Sequence, residues 1–137
     1  MFSGCIKTSP TTFTNNPSMT ATIGKYNFVA SSVVSSTLNS QVHDSITTLI
    51  MTGYSSDPNL IHDKIVVTVT SYKGMPYTWS IDQGQASATY YHNGNVYPAV
   101  GGVVSISNVT STKILGYFSF NTGTYSVTNG SFNVGLP

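Results

Sequence analysis

The fold is decided by the stretch ATYYHNGNVYPAV (residues 88–100), in which two strand-forming segments flank the dipeptide Asn93-Gly94. Asn and Gly both tolerate the positive φ angles of a type I′ turn, the tight turn that joins two antiparallel strands. A two-residue turn at this place pairs Tyr91 with Val96, and Tyr90 with Tyr97, across the strands. The stretch therefore predicts a β-hairpin of defined register.

The same alternation of strand and turn continues along the chain. Residues 19–23 alternate apolar and polar side chains, Gly24-Lys25 interrupts them, and residues 26–30 resume the pattern, which predicts another hairpin. Further strand-forming segments are residues 33–38, 46–54, 65–70, 77–81, 103–109, 114–120 and 125–134. No segment of useful length has a helical period. We therefore expect an all-β protein, an antiparallel β-sandwich or closed barrel of about nine to eleven short strands.

The composition is that of one weakly charged domain. The chain has 137 residues, of which 7% are charged, against about 25% in ordinary domains. Five Lys and no Arg cannot form the basic stripe that neutralises phosphates, so we expect no nucleic-acid binding. Residues 1–18, which are rich in Thr, Ser, Asn and Pro, are expected to include a flexible tether. A single all-β domain is expected at residues 19–137.

The cysteine near the N-terminus indicates where in the cell the protein is located. The run Phe2-Ser3-Gly4-Cys5 places an apolar residue and two small residues before a Cys. Bacterial lipoprotein processing recognises this pattern and diacylates the Cys, and two acyl chains anchor a protein stably to a membrane. On this interpretation Cys5 is the lipid attachment site, and the residues before it are the remnant of the lipobox. The alternative is an unmodified surface Cys.

The sequence gives little indication of a group of catalytic or metal-binding residues. His43-Asp44 and His62-Asp63 are expected near opposite ends of neighbouring strands, on the order of 25–30 Å apart at about 3.3 Å per residue. His92 lies at the tip of the predicted hairpin, where we expect it to be solvated. Every Asp adjoins a predicted turn, where Asp has an ordinary structural role, and no Ser lies in a Gly-x-Ser-x-Gly elbow. We expect no enzymatic activity, no metal and no cofactor.

Aromatic side chains are the candidate ligand contacts. A ring offers an apolar face and, in Tyr and Trp, a polar group. The candidates for stacking on a sugar or lining a pocket are Tyr77, Trp79, Tyr90, Tyr91 and Tyr97. In the alternative, which we favour, some of these rings fill the core and the others cover the outside of the sheet.

The C-terminal third resembles a known family. Residues 102–109, 113–120 and 127–134 follow, in this order, the patterns G-x-(V/I)-x-I, K-(I/V)-x-G-x-F-x-F and (N/E)-G-x-F-x-(V/I). These patterns close a family of small lipoprotein domains of unknown function from Bacteroidota, and Met19–Phe28 is similar to that family's opening, with Phe28 where Trp is frequent. The resemblance covers residues 19–136. It implies a β-domain anchored through Cys5 in the bacterial envelope, and it implies no catalytic residue.

These observations predict a non-catalytic, lipid-anchored accessory subunit or binding module of an outer-membrane complex. Its expected contacts are the membrane, through acylated Cys5, and either a protein partner in that complex or a second copy of itself. Residues 6–9 contain no acidic stretch, which favours the periplasmic face over the cell surface.

Two alternatives for the function stay open. Only Lys64 and Lys113 lie near the centres of predicted strands, and charge is one of the devices that protect sheet edges from pairing with other chains. The first alternative is therefore a self-assembling surface or filament protein that pairs through uncharged strand edges. The second is a carbohydrate- or lipid-binding domain that uses Trp79 and nearby Tyr residues.

Overall fold

The computed structural model describes residues 17–39, 47–55, 63–72 and 74–135. The described residues form strands and turns, and no helix among them is long and apolar enough to cross a membrane. The strands of this part of the chain are β1 (Ser18–Ile23), β2 (Tyr26–Asn39), β3 (Thr47–Ser55), β4 (Lys64–Val69), β5 (Tyr77–Ser80), β6 (Ala86–His92), β7 (Asn95–Pro98), β8 (Gly101–Val109), β9 (Lys113–Asn121) and β10 (Ser126–Gly135). The predicted all-β class is confirmed, and the ten strands fall within the expected number.

The strands form one strongly curled sheet in the order β5-β8-β9-β10-β1-β2-β3-β4-β6-β7. All pairings between neighbours are antiparallel. We call the part from β5 to the start of β2 the first half-sheet, and the part from the rest of β2 to β7 the second half-sheet. The inner, concave side carries the core, and the convex side faces outward.

Strand β2 belongs to both half-sheets. Its first residues pair with β1, as in Ile23 opposite Tyr26, whereas residues from Ala30 onward pair with β3. The register shifts between Ala30 and Ser32, and a bulge of this kind bends a strand. The sequence predicted two segments, residues 26–30 and 33–38. The structure joins them into one strand of 14 residues, because the bulge absorbs the irregular position without ending the ladder.

The decisive hairpin has the predicted register. Tyr91 lies opposite Val96, and Tyr90 lies opposite Tyr97. The φ angles of Asn93 and Gly94 are 51° and 80°, the positive values that a type I′ turn requires at both central positions. Local turn chemistry is therefore enough to determine how β6 and β7 pair.

Alternating side chains fill the concave side. In β4 and in β9 every second residue is buried along the whole strand. Burying an aliphatic or aromatic side chain of this size contributes about 1.5–3 kcal/mol to folding, so the sheet closes on a continuous core. Its largest fully buried members are Tyr90, Phe28, Met19, Ile23, Leu49, Met51, Ile65, Ile106 and Ile114.

Two glycines bring aromatic rings against neighbouring strands. Gly116 pairs with Phe132, and Gly130 pairs with Phe118. A Cβ at Gly116 would lie 2.5 Å from Cζ of Phe132, and a Cβ at Gly130 would lie 2.6 Å from ring atoms of Phe118. The ring centroids of the two Phe residues are 6.4 Å apart. The rings therefore occupy the space that a larger residue would need at either glycine.

Replacing Gly130 by Ala is expected to destabilise the protein by about 1–3 kcal/mol, the usual cost of forcing extra volume into a packed core. Gly135→Ala in the same strand is the matched control, since a Cβ there meets nothing within 4 Å. Urea unfolding followed by circular dichroism measures both free energies of unfolding. Equal midpoints for the two variants would show that the ring of Phe118 does not require the glycine.

Candidate functional site

The five aromatic candidates occupy three different places in the structure. Tyr77 and Trp79 line one cleft. Tyr90 and Tyr97 belong to an aromatic cluster on the concave side. Tyr91 is half-buried on the convex side, where Nζ of Lys64 lies 4.4 Å from its ring centroid. The structure thus brings together two of the candidates as lining of an open site.

The cleft has a volume of about 340 Å³ and lies beside β5, an end strand of the described sheet. Trp79 is 2% exposed and forms its floor, whereas Tyr77 is 58% exposed. The two ring centroids are 5.1 Å apart, with the planes inclined at 58°. The described residues that line it are Thr70, Ser71, Met75, Tyr77, Trp79 and Gln85.

Strand geometry explains why these two rings share the cleft. Trp79 pairs with Val104 and Tyr77 with Ile106, so both side chains point to the concave side with a period of two. Trp79 packs into the core, while Tyr77 lies at the other end of a four-residue strand at the margin of the sheet. The result is a rigid aromatic floor with an accessible ring beside it.

Polar groups at the rim of the cleft are held by the backbone. Oγ1 of Thr70 donates a hydrogen bond to the carbonyl oxygen of Gln85 at 3.0 Å. The backbone N–H of Ser80 donates to Oε1 of Gln85 at 2.9 Å. The first bond holds the Thr70 hydroxyl and the second holds the Gln85 side chain, so that the rim offers polar contacts in defined places. Thr70, Gln85 and the other rim residues carry no periodic signal in the sequence, and they were not among the candidates.

A second cluster surrounds Asp63, which is the buried charged residue among those that the structure describes and is 1% exposed. Its Oδ2 accepts a hydrogen bond from the Tyr90 hydroxyl at 2.6 Å. Nδ1 of His92 lies 2.9 Å from Oδ2 and 3.0 Å from Oδ1. Because a carboxylate can only accept, Nδ1 of His92 carries the proton in these contacts. Two donors from one strand therefore compensate the buried charge.

The pairing of β4 with β6 creates this cluster. Lys64 lies opposite Tyr91 and Ile65 opposite Tyr90, which brings Asp63, the residue before β4, level with His92 at the end of β6. The expectation that His92 is a solvated hairpin residue is wrong, because its side chain is only 22% exposed and is bound to Asp63. The view of Asp63 as an ordinary turn residue is wrong for the same reason. A turn pattern in the sequence predicts only how the chain reverses at one strand end. It does not predict which distant strands pair with each other.

Tyr125 joins the Asp63 cluster to the other half-sheet. This residue directly precedes β10, and its ring packs edge-on against Tyr90 at a centroid distance of 5.2 Å and against Tyr97 at 4.9 Å. It also meets the His92 ring at 5.8 Å. Edge-to-face contacts of this kind are worth about 0.5–1.5 kcal/mol each beyond the buried area. The cluster therefore ties the start of β10 to β6 and β7.

The chemistry of the Asp63 cluster is that of a buried cross-link. Burial, then the hydrogen bond to Asp63 and the charge of that carboxylate, raise the pKa of Tyr90 far above its ordinary value. Burial also raises the pKa of Tyr125. Nε2 of His92 lies 3.2 Å from the Asn93 amide nitrogen, which donates to it when Nδ1 holds the proton. Among the described residues, no three or more His, Cys, Asp or Glu side chains converge to hold a metal ion.

Several residues from the sequence interpretation lie outside the described ranges. These are the lipid attachment site Cys5, the pair His43-Asp44, the loop residue Asp57, and His62. Their interpretations remain predictions.

The raised pKa of Tyr90 is expected to make folding less stable in alkali. Unfolded Tyr loses its proton near pH 10, whereas folded Tyr90 keeps it, so the free energy of unfolding falls as the pH rises above 10, by up to about 1.4 kcal/mol per pH unit for one proton. Tyr90→Phe is expected to reduce this slope. Chemical unfolding at several pH values between neutral and strongly alkaline measures it, with Tyr54→Phe, an exposed Tyr, as the control. Identical slopes in Tyr90→Phe and the unchanged protein would contradict the expectation.

Comparison of the chain with models of protein families, with curated proteins and with solved structures finds no match to any of them. A functional proposal for this protein therefore rests on the geometry of its two clusters, and the resemblance to the Bacteroidota lipoprotein domains remains a prediction.

Proposed function

We propose that the protein is a non-catalytic binding module whose ligand occupies the cleft of Met75, Tyr77 and Trp79. The proposal depends on one observation, namely that a buried aromatic floor lies beside an accessible Tyr ring and a polar rim. Sites for small molecules are typically concave, largely apolar and equipped with a few placed polar groups. The ligand in this proposal is a small neutral molecule with an apolar face, either a sugar or an acyl chain.

The lining supports a neutral ligand. Every described side chain that lines the cleft is uncharged, and a charged ligand would lose hydration without gaining an opposite charge from these residues. Met75 is exposed at the opening. An unbranched thioether side chain adapts to irregular apolar shapes, so this residue fits a role as the movable wall of the cleft.

The cellular setting belongs to the same proposal. The run Phe2-Ser3-Gly4-Cys5 and the resemblance to envelope lipoprotein domains support attachment through acylated Cys5 to the outer membrane, on the periplasmic face. In that setting the binding module serves as an accessory subunit of an envelope complex. Its contacts are the membrane, a protein partner and the ligand of the cleft.

The sheet edges favour binding over self-assembly. Among the described residues the sheet ends at β5 and β7, and each of these strands has four residues. The last residue of β7 is Pro98, which has no N–H to donate to another strand. Short edges and Pro are common devices against edge-to-edge pairing. The strand edges therefore offer few backbone groups for assembly with another copy, and we favour the binding module over self-assembly.

Ligand binding in the cleft is expected to change the fluorescence of Trp79, the one Trp of the chain. We would titrate neutral oligosaccharides of glucose, mannose and xylose, and separately a short-chain diacyl phosphatidylcholine. Tyr77→Ala is expected to weaken binding about tenfold, or about 1.4 kcal/mol. Tyr77 is preferred to Trp79 for substitution, since removing a buried Trp costs about 3–5 kcal/mol of stability.

Tyr54→Ala is the matched control for the titration, because Tyr54 is an exposed Tyr of the second half-sheet, far from β5 in the strand order. A flat fluorescence response to both ligand classes would remove the cleft from consideration. An equal loss in Tyr54→Ala and Tyr77→Ala would also count against it.

The envelope setting is tested by purifying the tagged protein from its native membranes in mild detergent and identifying the retained proteins by mass spectrometry. A stoichiometric outer-membrane partner and a diacylated Cys5 are expected. Cys5→Ala is the control and is expected to appear in the aqueous fraction. Recovery of the unchanged protein alone from the aqueous fraction, with Cys5 unmodified, would reject the anchored-subunit proposal.

A further inference from the structure

A ladder of hydroxyl side chains crosses the convex side of the first half-sheet. Thr78 pairs with Ser105, Ser105 with Tyr117, Tyr117 with Ser131, and Ser131 with Thr20. The five residues come from five neighbouring strands, β5, β8, β9, β10 and β1. At about 4.8 Å per strand the row is about 19 Å long. We call it the Tyr117 row.

The Tyr117 row has an almost symmetric arrangement. Oγ1 of Thr78 and Oγ of Ser105 are hydrogen-bonded at 2.9 Å on one side of Tyr117. Oγ1 of Thr20 and Oγ of Ser131 are hydrogen-bonded at 2.9 Å on the other side. A hydroxyl has one donor and two acceptor positions, so each pair retains a donor and several acceptors for a ligand. The bonds within the pairs hold these groups in place beforehand.

The central ring is accessible and lies in a groove. Tyr117 is 60% exposed, and the groove around it has a volume of about 440 Å³. Gly130 contributes only backbone to the lining of the groove, because a Cβ there would point to the buried ring of Phe118. The preceding Asn129, at the bulge, has a φ of 52° and is exposed. A bulge re-aims side chains, and Asn129 lines the same groove as Tyr117.

The chemistry of the row selects among possible partners. The backbone groups of β9 are already engaged by β8 and β10, so an extended peptide cannot join as an added strand. The described side chains that line the groove are uncharged, so a phosphate or carboxylate would find no opposite charge among them to replace its hydration. In a chain of sugars, apolar C–H faces alternate with rows of hydroxyls. The Tyr117 ring can stack on such a face, and the hydroxyl pairs on both sides of the ring can bond to the sugar hydroxyls.

We propose that the Tyr117 row is a second binding site, for a neutral polysaccharide that lies across the strands. One sugar stacks on the Tyr117 ring, and the hydroxyls of this sugar and its neighbours bond to the Ser105–Thr78 and Ser131–Thr20 pairs. The site shares no residue with the cleft of Tyr77 and Trp79. The second site can therefore be tested independently of the proposed function.

Retention of the full chain on insoluble polysaccharides tests the second site. The probes are regenerated cellulose, insoluble starch, mannan and xylan, with polygalacturonate as an anionic comparison. Retention on at least one neutral polysaccharide is expected, with an affinity that falls tenfold or more in Tyr117→Ala and is kept in Tyr117→Trp. The exposure of Tyr117 means that both variants are expected to fold, and circular dichroism checks this.

Two controls separate the sites. Tyr54→Ala removes an exposed ring from the second half-sheet, and Tyr77→Ala alters the cleft. Tyr54→Ala is expected to bind the polysaccharide like the unchanged protein, whereas Tyr77→Ala shows how much of the retention comes from the cleft. No retention on any neutral polysaccharide, stronger retention on polygalacturonate than on all of them, or equal loss in Tyr117→Ala and Tyr54→Ala would overturn the proposal. Loss in Tyr77→Ala but not in Tyr117→Ala would transfer polysaccharide binding to the cleft and reject the second site.

Discussion

The buried carboxylate of Asp63 is the constraint on which the second half-sheet depends. An ionised carboxylate removed from water costs several kcal/mol unless donors replace the lost hydration. Tyr90 and His92 supply these donors, and both lie on β6, so only one register of β6 against β4 satisfies the charge. A slip by one residue would turn both donors to the convex side. The polar cluster and the alternating buried side chains of β4 therefore favour the same register.

The same cluster determines how the two half-sheets meet. Tyr125 approaches the rings of Tyr90, Tyr97 and His92 from the turn before β10. At the opposite side, the bent strand β2 carries the backbone ladder from one half-sheet to the other. One junction is covalent and continuous, and the other consists of side chains. The concave core lies between these two junctions.

Local patterns predicted what depends on neighbours in the sequence. The Asn93-Gly94 turn determined the Tyr90–Tyr97 register, and alternation identified most strand segments to within one or two residues. The continuity of β2 escaped prediction, because a bulge and a loop have similar sequence signals. Trp79 and Tyr77 were among the candidate ligand contacts, whereas Met75 and Gln85 lie in loops, outside the alternating pattern of a strand. Asp63 and His92 are 29 residues apart, and only the β4–β6 pairing brings them together.

The position of β1 has a mechanical consequence. Although β1 is the first strand of the described chain, it lies inside the sheet, with β10 on one side and β2 on the other. A force applied through the residues that precede Ser18 therefore enters the fold at a strand bonded along both edges. Detaching it requires breaking two ladders together with the core contacts of Met19 and Ile23. If the domain is held by its N-terminus against flow or against a moving partner, the force acts first on a central strand of the sheet. It does not act first on an edge strand, which would detach more easily.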